Sequence, residues 1–427
     1  DTDLPRMVAG EPTPGAEDIA ADASIITVTF SEPIDPRTVS SANFSMHRGT
    51  EELAFLTEPT IDESSTKILM VPQAPLRPGS EYTIQISSSI RDLAGNGPSD
   101  PIVWSFKTTI PSLEVRSPSA NASIVAEDVE KISAQFSAGV DQVYINNDVS
   151  EAILITREDE NVPLLQAPII ERDNTVSIPI GGSMLPGSRY RVELDGNLAG
   201  PLRAAEYGNF VWEFQTVIPE LVATLPEADS QAASYVIEAV FDSQIDKAML
   251  ETTESIQVLR GGIQQAISDA KYEADAKMLR FELEGGLKPG ANYQVSLSGV
   301  FGGPLRVLSE GNYEWEFSTP IPQLSSSMPI DGAEDVDASL STITAVFSSP
   351  VDLEALLKPG SLQLLAGGAS VAVVGLEFNQ ETRTLRFEAA DGLEPGTNYV
   401  VRIAAEIGGV QRVGDYMWQF KTPVPEL

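Results

Sequence analysis

The chain has 427 residues and is 42% hydrophobic, enough apolar content to fold over a length that suits three or four domains. Its 27 Lys and Arg face 62 Asp and Glu, a net charge of −35. Such a surface repels phosphate backbones and argues against nucleic-acid binding. Cysteine is absent and His47, on a polar stretch, is the one histidine, so disulfides, thiolate metal sites and His clusters are excluded and no His-based triad emerges.

In chain order, the first strand-like run is ITVTF, ending at Phe30, with Asp35 five residues on. LRPGSEY follows, ending at Tyr82, then a loop of the form DLAGN from Asp92, and then WSF at Trp104. The same landmarks return three times. ISAQF ends at Phe136, IEAVF at Phe241 and ITAVF at Phe347, each followed after five residues by Asp141, Asp246 or Asp352. Pro-Gly turns precede Tyr190, Tyr293 and Tyr399, and Trp-x-Phe recurs at Trp212, Trp315 and Trp418. Phe to Tyr spans 52, 54, 52 and 52 residues, and successive Trp residues are 108, 103 and 103 apart. The chain is therefore four repeats, with boundaries at 1–111, 112–219, 220–322 and 323–427.

Each landmark has a physical task. Alternation in I-T-V-T-F or W-E-F-S-T places every second side chain on one face of a half-buried strand. Trp and the Phe two residues on therefore point into a core rather than form a binding platform. Pro-Gly marks a tight turn, and the Tyr after it resembles a tyrosine corner, its hydroxyl bonding backbone upstream. The recurring Asp caps a short turn or helix. Short strands with turn signals every ten or so residues predict an all-β chain of four tandem antiparallel Ig-like or fibronectin-like β-sandwiches.

Counting from each Trp, Thr falls at +4 and Pro at +7, as at Thr108 and Pro111 or Thr319 and Pro322. These joints are short, β-branched and proline-bearing, which predicts a stiff extended rod on the order of 150 Å long. Thr2 and Pro5 repeat that spacing at the start. The reading that follows is of a window from a longer array.

The first repeat resembles the S-layer-type bacterial immunoglobulin-like domain. The likeness rests on ITVTFSEPID, LRPGSEYTIQI, the DLAGN loop and WSFKT. It extends over the other repeats except at that loop, where LAGPLRAAEYGN, FGGPLRVLSEGN and IGGVQRVGDY stand instead. The resemblance implies a non-catalytic spacer or surface module of a bacterial envelope protein, extracellular or periplasmic, in the manner of S-layer subunits and adhesins. Its partners would be other domains of the same protein and cell-surface components, self-association included. Two alternatives stand beside this. The altered loops of repeats two to four could contact a partner subunit or a glycan, or the chain could be an accessory segment of a secreted enzyme.

No catalytic or cofactor-binding residues emerge. Gly-Gly pairs never precede GK[ST], so there is no P-loop. Calcium is the one cofactor weighed, because carboxylates crowd near domain edges: Glu17, Asp18 and Asp22; Glu334, Asp335 and Asp337; Asp92, Asn96 and Asp100. Calcium wants six to eight oxygens, and no stretch matches an EF-hand loop. No apolar run approaches the ~20 residues needed to cross a bilayer as a helix.

Overall fold

The computed structural model describes residues 2–147, 149–182, 184–230, 236–251 and 255–424. Pro425, the last proline of the joint register, lies outside them. The chain divides into two compact units, Asp1–Val217 and Ile218–Leu427. Among the described residues eight sheets form four two-sheet sandwiches, two in each unit.

The first sandwich shows the plan. Its strands are β1 (Met7–Glu11), β2 (Ile26–Phe30), β3 (Phe44–Arg48), β4 (Glu51–Leu53), β5 (Thr60–Ile61), β6 (Lys67–Met70), β7 (Glu81–Ile86) and β8 (Ile102–Lys107). One sheet runs β1-β2-β6-β5 and the other β4-β3-β7-β8. All pairings among these strands are antiparallel. Alternation decides what is buried. Val28 and Phe30 on β2, Ile68 and Met70 on β6, Tyr82 and Ile84 on β7, and Trp104 and Phe106 on β8 all face the core. Register places Tyr82 opposite Phe106 and Ile84 opposite Trp104.

The plan repeats around three further buried clusters. In the second sandwich Ser123–Ile124 adds a short parallel strand to Phe210–Thr216, where the first has a single parallel bridge, Ile19 to Thr108, and the fourth has one from Ala333 to Phe420. The four Trp residues are core residues, as the alternation predicts. The indole Nε1 groups of Trp104 and Trp212 donate to the carbonyls of Pro12 and Pro118. Those of Trp315 and Trp418 find no partner among the described residues.

Within each unit the Trp strand leads into the next sandwich through five residues, 108–112 in one case and 319–323 in the other. The loops that replace DLAGN in repeats two to four are built differently. They open with a 3-10 turn, Gly196–Ala199, Gly299–Gly302 or Ala405–Gly408. In repeats two and three a short α-helix follows, Pro201–Tyr207 or Pro304–Ser309, with Pro in its first turn, where no N–H is needed. No helix among the described residues is long and apolar enough to cross a membrane.

Candidate functional site

The landmark residues converge on the Pro-Gly turn at the end of each domain. In the first domain the Tyr82 hydroxyl accepts from the Arg77 amide at 2.6 Å. The Thr108 hydroxyl donates to the Arg77 carbonyl at 2.7 Å and accepts from the Ser80 amide at 2.9 Å. Two side chains thus satisfy the turn's backbone from inside, so it is held without a sheet ladder. The same three bonds recur with Tyr190 and Thr216, Tyr293 and Thr319, and Tyr399 and Thr422. Each Tyr also stacks on the Phe of Trp-x-Phe, with centroids 5.2 to 5.5 Å apart.

In both units this turn receives the following domain. Leu202 N–H donates to Gly79 O at 3.0 Å, and Gly200 sits so close that a Cβ there would lie 2.1 Å from Pro78 O. A Cβ on Gly409 would lie 1.8 Å from Pro289 O. Gly200 and Gly409 have φ of 99° and 87° with ψ near 170°, a region open essentially to glycine alone. The joint is therefore backbone on backbone. Gly200, in LAGPLR, and Gly409, in IGGVQR, supply this close approach.

In the second domain of each unit the recurring Asp borders the same contact. Asp35, Asp246 and Asp352 accept from amides two residues on, and Asp141 from Tyr144, as capping predicts. Asp141 and Asp352 have a second partner across the joint. The Arg77 guanidinium lies 3.6 Å from buried Asp141, and Lys288 Nζ lies 3.2 Å from Asp352 and 2.6 Å from Glu354. Burial pushes the Lys288 ammonium down, yet its bonds to Glu354 and Asp352 outweigh that and hold it above the usual lysine range. Asp35 at the chain's start is paired instead by its own Arg37 at 2.6 Å, which holds its carboxyl low.

Behind each altered loop an arginine lies on an aromatic ring. Arg203 covers Phe210 at 4.3 Å, Arg306 covers Tyr313 at 3.5 Å and Arg412 covers Tyr416 at 4.1 Å. Tyr313 and Tyr416 in turn donate to the carbonyls of Pro219 and Pro322 at 2.7 Å. Burial pushes both phenols up, Tyr313 most, against the pull of the arginine beside each.

The profile of the bacterial Ig-like domain matches residues 1–108, 215–319 and 318–422, well over half of the chain. The chain belongs to the bacterial Ig-like domain family. The second Ig-like domain lies outside the matched segments. No curated protein matches the chain. Among solved structures it is similar to domains 1–6 of the surface layer protein SbsC, at 12% identity over 100% of this chain and 55% of that one, with a TM-score of 0.21. It is also similar to Sidekick-1 immunoglobulin domains 1–5, at 12% identity over 98% and 81%, TM-score 0.24. The chain spans about half the length of the surface-layer structures it matches. Bacterial Ig-like domains are extracellular modules of structural or adhesion type and in general non-catalytic.

The calcium candidates occupy separate places in these Ig-like domains. Asp92 is 2% exposed, and its oxygens accept from Ala94 N, Asn96 N and Asn96 Nδ2 at 2.8 to 3.0 Å. Burial would raise its carboxyl, but those bonds hold it below the usual range. Asp100 accepts from Ser99. Asp18, Asp22, Asp335 and Asp337 are exposed, Asp337 accepting from Ser339 N, and Glu17 pairs with Lys107. Among the described residues no three His, Asp or Glu side chains converge as a metal cage. His47 lies on β3, with Nε2 3.3 Å from Ser45 Oγ.

Proposed function

We propose that this chain is a non-catalytic structural segment of a bacterial cell-envelope or surface protein, whose Ig-like domains act as spacers that hold other parts of the protein in place. The joint carries this reading. In each unit a side-chain-locked turn meets a glycine loop at backbone contact, and an ion pair fixes the registry. Such a joint resists relative movement of its two domains, the property a spacer needs. The family's extracellular and structural character supports the same reading. It assigns no cofactor.

The test is the mass in solution across a concentration series, by light scattering or sedimentation, with calcium and with chelator. A constant 45.8 kDa particle with an unchanged melting temperature supports a passive spacer. Growth with concentration would make it an assembly subunit, and a calcium-dependent change in mass or melting would make the acidic domain edges binding sites.

A further inference from the structure

The second domain carries an arginine-lined cavity. A cavity of about 570 Å³ opens between the strand Leu113–Ser117 and the helix Pro201–Tyr207. Arg116 and Arg203 both line it, with Tyr207, Leu113 and Val211, and no carboxylate is among the lining residues. The volume falls within the range of small-molecule sites.

The repeats supply internal controls. In the third domain Arg306 is neutralised by Glu310, and in the fourth Arg412 donates to Gln323 Oε1 at 3.0 Å. In the second domain Tyr207 stands where the third has Glu310, each five residues before its Trp. Arg203 is left with the Gly208 carbonyl and two ring faces. Burial holds its guanidinium below the usual range, against the opposing pull of Tyr207 and Glu206. Arg116 in turn stands where the third and fourth domains have Thr224 and Ser327, three residues after the joint leucine. Neither Arg116 nor Arg203 makes an ion pair among the described residues, in a chain where acids outnumber bases 62 to 27. The neighbouring Glu193 is engaged by Asn209 and Arg191.

We infer that this cavity binds an acidic saccharide, with Arg116 and Arg203 on a ring carboxylate and the exposed Tyr207 ring against a sugar face. A guanidinium fork matches a carboxylate in two parallel bonds. Tyr207 is 61% exposed and offers a flat apolar face with a polar tip. This site is independent of the spacer reading, since a chain can be a monomeric spacer and still hold a glycan.

The experiment is titration of the full chain with an oligogalacturonate, its methyl ester and inorganic phosphate, at low and physiological salt. The expected result is saturable, salt-sensitive binding of the oligogalacturonate alone. Arg116→Gln and Tyr207→Ala should each weaken it about tenfold, the loss expected for one charge-assisted contact or one ring face. Both residues are exposed, so unchanged melting confirms that each variant folds. Three results would overturn the site: no saturable binding, equal binding of the ester, or indifference to Arg116→Gln. Phosphate competing as well as the oligogalacturonate would mark the cavity as an adventitious anion site and overturn it equally.

Discussion

Replacing Gly200 by alanine tests whether backbone contact sets the joint of the first unit. Two costs follow from the structure. The first is conformational: φ 99° and ψ 165° suit glycine alone, and an L side chain there costs about 1–3 kcal/mol. The second is contact. The new Cβ would lie 2.1 Å from Pro78 O, against an ordinary contact of 3.4 Å, so the domains must part by about 1.3 Å, the difference. Overpacking of this kind costs about 1–3 kcal/mol. Parting also breaks the bond from Leu202 N to Gly79 O, worth about 1 kcal/mol. Gly208→Ala is the control. It closes the same helix at φ 66° and ψ −148°, and its Cβ would meet nothing within 4 Å. Gly200→Ala should therefore destabilise the chain by about 2–4 kcal/mol more than Gly208→Ala. Calorimetry gives the difference, and hydrogen exchange at Leu202 locates it. Equal losses in the two variants, or an unchanged Leu202 amide, would refute the interlocked joint.

Three further outcomes follow from the same geometry. Tyr293→Phe removes the acceptor of the part-buried Lys288 amide and should cost about 1–3 kcal/mol; a melting temperature equal to that of the parent would show the corner bond to be dispensable. Lys288→Met leaves Asp352 partly buried without its cation. The cost should fall between the ~1 kcal/mol of an exposed pair and the ~3 kcal/mol of a buried one, and it should shrink in high salt when followed by denaturant titration. For alkaline pH the sign is set by raised values. Tyr293, Tyr313, Tyr416 and Lys288 are all held above their ordinary values, so their contribution is full below the unfolded values near 10 and is lost as pH rises through the folded ones. Unit Ile218–Leu427 should then lose structure, with its tyrosinate absorbance appearing late and together with unfolding; early, fully reversible ionisation of every tyrosine would contradict this.

Much of the fold is legible because it is periodic. Phe30, Tyr82 and Trp104 and their counterparts stand at fixed intervals, and alternation alone places them in a core. The Asp caps are local, two or three residues from their amides, so spacing reveals them. Thr108 is different. Its register is plain in the sequence, yet it reads as part of a linker, because its partners Arg77 and Ser80 lie about thirty residues upstream. The pairing of Arg77 with Asp141 is hidden for the same reason. Asp92 shows the opposite failure. Its neighbours in sequence suggest ligands, but its oxygens are already consumed by the amides of its own loop, which composition cannot show. The clue to the altered loops is their shared GPLR-like text, whose meaning depends on what docks against it.

The glycine contact bears on how such chains change over evolutionary time. A joint made of carbonyls and Cα atoms, with one cross-domain ion-pair site beside them, carries little side-chain identity. One domain can therefore be exchanged for another, or a copy inserted, without a compensating change in its neighbour, provided the turn and the loop are kept. Drift can then reshape everything else on a domain's surface, as at the arginine-lined cavity of the second, while the coupling stays interchangeable.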